Sequence, residues 1–93
     1  MNRALLRSTA FVQAARKYVR RHPQSAATIQ STLELLASDA FDPRLKTHKL
    51  KGDLQGSWAC SGGYDLRIVF EFVQYQGSEA ILLESIGTHE EAY

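Results

Sequence analysis

The run from Gly62 to Phe72 constrains the fold of this chain more than any other stretch of its sequence. Two glycines, which favour a turn, are followed by residues that alternate in character with a period of two. One face of the alternation comprises Tyr64, Leu66, Ile68, Phe70 and Phe72, and the other comprises Asp65, Arg67, Val69 and Glu71. Such alternation, rich in aromatic and β-branched residues, is typical of a strand with one face in a core. The sequence therefore predicts a central strand whose second face, with Asp65 and Arg67, is a candidate functional surface.

Helical periodicity before this strand predicts two helices. In the first, apolar residues recur at helical spacing after a cap at Ser8 or Thr9, and Pro23 ends the helix. The second helix begins at Pro23 and ends near Asp39. The residues at helical spacing are Phe11, Ala15, Tyr18, Val19 and His22 in the first helix and Ala26, Ile29, Leu33 and Leu36 in the second. Because the linker has only two or three residues, we expect an antiparallel helical hairpin.

Further segments complete the predicted fold. They are a short opening strand at residues 3–7, a basic connector at 44–52, and strands at 54–60, 64–72 and 80–86. In the strand before Gly62, we expect Leu54, Trp58 and Cys60 to face inward. The element order is (β)ααβββ, and the predicted fold class is α+β, with an N-terminal helical hairpin packed on one face of an antiparallel β-sheet. A chain of 93 residues is expected to form a single domain, residues 1–93.

Charge is distributed unevenly along the chain, although the net charge is only +1. Residues 1–51 contain ten Lys or Arg and three Asp or Glu, whereas residues 52–93 contain one and seven. A basic half suggests a polyanionic partner such as RNA, but a solvated helix face produces the same pattern. No apolar run is long enough to span a membrane and no leader-like segment opens the chain, so we expect a cytoplasmic protein with no membrane partner.

Cysteine and histidine usage limits the available chemistry. Cys60 is the only cysteine, which excludes disulfide frameworks and cysteine-rich zinc sites; beside Trp58 it fits a small core residue. The three histidines, His22, His48 and His89, lack the spacing of metal ligands. The sequence therefore predicts no metal and no cofactor.

Four polar residues would form an acid–base site if this topology holds. His48 precedes the first meander strand, Asp65 and Arg67 lie on the middle strand, and His89 follows the last strand. Imidazole titrates near neutral pH, and arginine binds phosphate. Metal-independent RNA cleavage needs a base for the 2′-OH, a cation for the developing charge and an acid for the leaving oxygen. The alternatives are that His48 is a solvated loop residue and that Arg67 is a structural ion-pair partner of Asp65 or Glu71.

Four segments in a fixed order carry a family resemblance. They are Leu45–Gly52 (LKTHKLKG), Trp58–Ser61 (WACS), Gly63–Phe70 (GYDLRIVF) and Gly87–His89 (GTH). This series resembles the RelE/ParE toxin superfamily, and within it the YafQ-like branch. The resemblance spans nearly the whole chain and implies the fold described above. It also implies a type II toxin that cleaves messenger RNA in the ribosomal A site, is neutralised by a cognate antitoxin, and reaches operator DNA only through the antitoxin complex.

The resemblance also implies roles for individual residues. His48, Asp65 and His89 match the family's catalytic positions, and Arg67 matches the strand arginine of the wider superfamily. His48 or Asp65 would activate the 2′-OH, Arg67 would stabilise the phosphorane, and His89 would protonate the 5′-oxygen. Lys46, Lys49, Lys51 and Tyr93 are expected to contact RNA, and Arg16, Lys17, Arg20 and Arg21 to contact ribosomal RNA.

Three positions depart from the family pattern. Ser61 stands where YafQ-like toxins have a histidine, Leu66 where they have an aromatic residue, and Ser85 where they have an arginine. These departures leave open a catalytically degenerate toxin-fold protein that acts only through antitoxin and operator binding. A ParE-like toxin that inhibits DNA gyrase is a second alternative, although retention of both His48 and His89 argues against it. A small α+β domain with an unrelated role is the third.

Overall fold

The computed structural model describes residues 2–63 and 65–92, without the side chain of Glu91. The helices are α1 (Thr9–Arg21), α2 (Ala26–Ser38) and the short α3 (His89–Ala92). The strands are β1 (Leu5–Arg7), β2 (His48–Lys49), β3 (Trp58–Ser61), β4 (Arg67–Tyr75) and β5 (Ser78–Gly87). Short 3₁₀ turns lie at Pro23–Ser25, Pro43–Leu45 and Gly52–Leu54. The strands form one sheet in the order β1-β5-β4-β3-β2.

Local sequence signals set both ends of α1. The Ser8 hydroxyl accepts a hydrogen bond from the backbone N–H of Phe11 at 3.0 Å, which satisfies a free donor of the first turn. His22 takes the non-helical angles φ −134° and ψ 73° because Pro23 follows it. The buried side chains of α2 are Ile29, Thr32, Leu33, Leu36 and Ala37. Of the residues that the helical spacing predicts, Ile29, Leu33 and Leu36 pack into the core, whereas Ala26 is exposed.

The sheet is a meander with one extra strand at each edge. Strands β3, β4 and β5 pair antiparallel, and the β4–β5 hairpin turns through Gln76 and Gly77, which both have positive φ (51° and 79°). Two positive φ angles match the twist of a tight hairpin. At one edge β2 pairs antiparallel with β3; at the other β1 pairs parallel with β5. The predicted antiparallel sheet is confirmed for the meander, whereas β1 makes the whole sheet mixed, since a long crossover separates it from β5.

A single cluster of buried side chains lies between the helices and the sheet. The largest fully buried members are Phe70, Leu36, Leu45, Ile68, Ile81, Leu83 and Cys60. Burial raises the pKa of the Cys60 thiol to about 12. The predicted role of Cys60 as a small core residue is therefore confirmed, because a thiol in this state is not a ready nucleophile.

Three boundaries differ from those predicted by periodicity. Strand β4 begins at Arg67, because the chain turns after Gly62, whose backbone N–H donates to the carbonyl of Leu66. Strand β3 begins only at Trp58; a 3₁₀ turn precedes it, and Leu54 is exposed, so its predicted inward orientation is wrong. The connector contains the two-residue strand β2. Tyr64, predicted to lie in the core, falls outside the described residues.

Candidate active site

The side of the sheet opposite α1 and α2 is termed the outer face, and cross-strand pairing shows which residues share it. Its first row contains Ser61, Arg67 and Gly87. Its second row contains His48, Ala59, Val69 and Ser85. Glu71 lies in the next row, beside Leu82. The strand pattern therefore places Arg67, Glu71 and His48 on the same surface, opposite the core residues Ile68 and Phe70.

Arg67 is a half-buried cation set among small neighbours. It is the first residue of β4, and its cross-strand partners are Ser61 and Gly87. Its Nη1 donates to the carbonyl of Leu66 at 3.1 Å. Within residues 2–63 and 65–92, Arg67 makes no ion pair with Asp65 or Glu71, the alternative that the sequence left open. The guanidinium has donors remaining for an anion, since it carries five N–H groups.

Asp65 and His89 meet beside the start of β4, where Asp65 also lines a pocket with Tyr18 and His22 of the helical hairpin. Asp65 lies in the turn before β4, not on the strand as predicted, and its Oδ1 accepts a hydrogen bond from the backbone N–H of His89 at 3.2 Å. His89 is the first residue of α3, which packs on β4 and β5. Both side chains are exposed. The sequence predicted that these residues would converge, and the structure brings them into contact through this bond.

His48 lies at one edge of the outer face. It is exposed on the edge strand β2, and its Nδ1 is 2.9 Å from the carbonyl oxygen of Lys46. Two strand spacings separate it from Val69 on β4, roughly 10 Å in all. His48 and Arg67 thus lie in adjacent rows of the same face of the sheet, and Ala59 and Val69, which continue the row of His48, are buried.

A pair of carboxyl groups on the outer face was missed by sequence reasoning. Ser57 Oγ donates to Glu84 Oε1 at 2.8 Å, and a side-chain hydrogen bond joins Glu84 to Glu71. That bond, with burial and repulsion from Glu84, raises the pKa of Glu71. The pairing shifts register between Val69 and Phe70, so Glu84 is an extra residue that turns toward the outer face. The inward residues Leu83 and Ile86 are three apart, a spacing that could have revealed this bulge in the sequence.

The lysines of the connector do not share one surface. Lys46 is exposed with a positive φ of 51°. Lys49 alternates with His48 and turns to the other side of the sheet, where its Nζ lies 5.5 Å from the centre of the Trp58 ring. Lys51 is exposed just beyond β2. Lys49 and Lys51 line one groove together with Trp58 and Phe72, on the side opposite the outer face.

The remaining predicted contact residues lie on α1, where Lys17 and Arg21 line a small pocket with Ser85, or outside the described residues. The exposed side of α1 carries Arg16, Lys17, Arg20 and Arg21, as its periodicity predicts. Tyr93 falls outside the described residues. In the part of the chain that the structure describes, no group of three or more His, Cys, Asp or Glu side chains could hold a metal ion. Nor does any described helix have the length and apolar character to cross a membrane.

Comparison with known proteins identifies the fold. No family model and no curated protein sequence matches the chain. Among solved structures, YafQ from E. coli strain BL21(DE3) is 14% identical with a TM-score of 0.77, covering 96% of each chain. A YoeB/ParE toxin from Agrobacterium tumefaciens is 16% identical with a TM-score of 0.73, covering 92% of this chain and 98% of that one. The E. coli DinJ–YafQ toxin–antitoxin complex matches at 15% identity and a TM-score of 0.75, covering 98% and 97%.

Proposed function

We infer the function of the chain from its site and from its fold, which is that of the RelE/ParE toxins, as the sequence resemblance implied. We propose that it is the toxin of a type II toxin–antitoxin system, a ribosome-dependent endoribonuclease that cleaves messenger RNA in the A site. The observation that carries this proposal is the group of residues around the start of β4. Arg67 and His48 share the outer face, and Asp65, two residues before Arg67, bonds to the backbone of His89. A base, a cation and an acid are the groups required for cleavage at a ribose phosphate.

The proposed reaction uses the chain's own side chains for proton transfer. His48 or Asp65 takes the proton of the 2′-OH, and the resulting oxygen attacks the adjacent phosphorus. Arg67 donates hydrogen bonds to the phosphorane oxygens, where negative charge develops. His89 gives a proton to the 5′-oxygen as the P–O bond breaks. The products are a 2′,3′-cyclic phosphate and a 5′-OH, so protons and bonds balance without another reactant.

Three partners belong to this proposal. The ribosome with its messenger RNA is the substrate complex, contacted by the basic face of α1 and by Lys46, with Tyr93 stacking on a base. A cognate antitoxin neutralises the toxin, in keeping with the DinJ–YafQ assembly among the similar structures. Operator DNA is bound only through the antitoxin complex. The protein would act in the cytoplasm, where translation takes place.

One observation favours a degenerate toxin as a second candidate. Ser61 pairs directly with Arg67, and Ser85 lies in the same row as His48 and Val69. The two family positions that would add an imidazole and a guanidinium to the outer face therefore carry hydroxyls instead. In this second candidate the chain binds antitoxin and operator without cutting RNA.

A coupled translation assay with mapping of transcript ends tests the proposal. We expect codon-phased cuts with the wild type and their loss with His89→Ala. Arg7→Ala is the control, because Arg7 is exposed on the edge strand β1, away from Asp65 and His48. Unchanged cutting by His89→Ala would contradict the proposed acid. The absence of any cuts by the wild type would favour the degenerate toxin, and stalled gyrase–DNA complexes would favour the gyrase alternative.

A further inference from the structure

Three aromatic rings form a partly exposed patch on the side of the sheet opposite the outer face. Phe41 stacks on Phe72 with ring centres 5.7 Å apart and an interplanar angle of 20°. Trp58 meets both rings edge-on, at 5.5 Å from Phe41 and 5.3 Å from Phe72. Phe41 is 54% exposed, which is unusual for so large an apolar side chain in this chain. We call these three residues the aromatic patch.

The patch is fixed by three separate elements. Phe41 comes from the turn after α2, Trp58 begins β3, and Phe72 lies within β4. Trp58 pairs across the strands with Phe70 of the core, so its ring is on the helix side. Beyond the reach of the two helices, Phe41 is what covers this end of the helix side. Stacked and edge-to-face rings hold each other in defined positions, which makes the patch a preformed surface.

Two cations lie beside the rings. The Arg3 guanidinium carbon lies 5.3 Å from the centre of the Phe72 ring, but Arg3 Nε is paired with Glu79 Oε1 at 2.8 Å. Lys49 Nζ lies 5.5 Å from the centre of the Trp58 ring. A groove of about 790 Å³ continues from the patch and is lined by Lys49, Lys51, Leu50, Gln55, Trp58 and Phe72, among others. No carboxylate from the described residues lines it. An occupant that matches this surface therefore has apolar side chains next to acidic ones.

A protein segment fits the patch better than RNA does. Stacking of a base needs an open ring face, but the Phe72 ring already contacts Arg3 and Phe41, and the Trp58 ring already contacts Lys49. Aromatic side chains with neighbouring arginine or lysine are typical of the buried centres of protein interfaces. The candidate RNA surface, with Arg67 and His48, is on the opposite side of the sheet.

We propose that the aromatic patch and its groove dock a segment of the antitoxin in which apolar anchors adjoin Asp or Glu. This inference rests on the proposed function for the identity of the partner. It adds that the antitoxin holds the toxin on the face opposite Arg67. Antitoxin binding and RNA cleavage then depend on different side chains of the same strands and are separable by mutation.

Titration calorimetry of the purified cognate antitoxin into the full-length toxin tests this docking site. We expect Phe41→Ser to weaken binding by about tenfold or more, as loss of a central anchor does. Lys49→Glu is also expected to weaken antitoxin binding, and the loss of affinity should be larger at low salt than at high salt, because salt screens the charge. Tyr75→Ser is the matched control, because Tyr75 is also an exposed aromatic residue, 43% exposed, but lies at the β4–β5 turn. Circular dichroism checks that each variant is folded.

Transcript cleavage by the same variants separates this inference from the proposed function. Loss of antitoxin binding with cleavage retained supports the docking site. Wild-type antitoxin affinity in both Phe41→Ser and Lys49→Glu overturns it, as does loss of cleavage with antitoxin binding intact, which would make the patch an RNA contact. If the wild type cuts no transcript, the proposed function fails, yet the calorimetry still decides whether the patch docks the antitoxin.

Discussion

The two faces of the same three strands differ in what holds their side chains in place. On the helix side, Phe70 and Phe72 are 5.4 Å apart and pack with Trp58, so each ring is positioned by its neighbours. On the outer face, Arg67 and Glu71 are half-buried, and their bonds are few and polar. Successive residues of one strand thus serve different purposes. The helix side supplies most of the stability, whereas Arg67 and Glu71 place polar groups on the outer face.

Truncation of a core aromatic residue on the helix side is expected to have the largest effect on the free energy of unfolding. Phe70 is fully buried, whereas Phe41, on the same side of the sheet, is 54% exposed. Phe70→Ala should lower the free energy of unfolding by about 3–5 kcal/mol, enough to unfold a domain of this size. Phe41→Ala, which removes the same atoms, should cost well under half as much. Urea denaturation measures both values; equal losses would contradict the assignment of the core.

Adding a methyl group to Gly62, in the turn before β4, should have an intermediate effect on the free energy of unfolding. A Cβ on Gly62 would lie 2.5 Å from Thr32 Oγ1 and 2.8 Å from Leu66 Cδ2, because α2 packs directly against this turn. Gly62→Ala is therefore expected to destabilise the fold by about 1–3 kcal/mol. Thr32→Ala in the same chain should recover part of that loss. A double-mutant cycle in urea measures the recovery, and strict additivity would show that the two residues do not clash.

Breaking the Glu71–Glu84 pair on the outer face should have the smallest effect on stability, and the size of that effect should depend on pH. The pKa of Glu71 is raised, chiefly by its hydrogen bond with Glu84, so the folded state binds this proton more tightly than the unfolded state. The resulting stabilisation is complete below the ordinary glutamate pKa of about 4.3 and is lost as the pH rises through the raised value. Glu71→Gln should make stability less dependent on pH across that window and raise it at neutral pH.

Urea denaturation at a series of pH values from about 4 to 8 measures this effect. Glu34→Gln is a suitable control, because Glu34 is an exposed carboxylate on α2 that accepts a hydrogen bond from Gln30. If Glu71→Gln and Glu34→Gln change the pH profile equally, the proton is not held by the Glu71–Glu84 pair.

The sequence predicted the fold better than it predicted the arrangement of the candidate site. Periodicity located both long helices and the meander, because burial of one face forces apolar residues to recur at fixed spacing. It failed at Leu54 and at the start of β4, where turn formation after Gly62 decides the boundary. The parallel pairing of β1 with β5 and the bulge at Glu84 depend on contacts between distant segments.

For the candidate site too, the sequence predicted which residues approach each other but not the details that depend on strand register. The residues of motif GTH and the strand acid were predicted to approach each other, and Asp65 does contact the backbone of His89. That Lys49 leaves the outer face while His48 stays on it follows from the register of the two-residue strand β2. Because the sequence predicted a connector there and not a strand, it had no register from which to derive this difference.

The central claim is that Arg67 serves chemistry on the outer face and not the stability of the fold. Its most direct test is Arg67→Ala, assayed for ribosome-dependent transcript cleavage and for unfolding in urea. Arg7→Ala is the matched control, since Arg7 is an exposed arginine on the edge strand β1, two strands away from β4. We predict cleavage slower by about 10²–10³-fold with the free energy of unfolding changed by less than about 0.5 kcal/mol. Wild-type cleavage by Arg67→Ala, or a large loss of stability, would contradict the account.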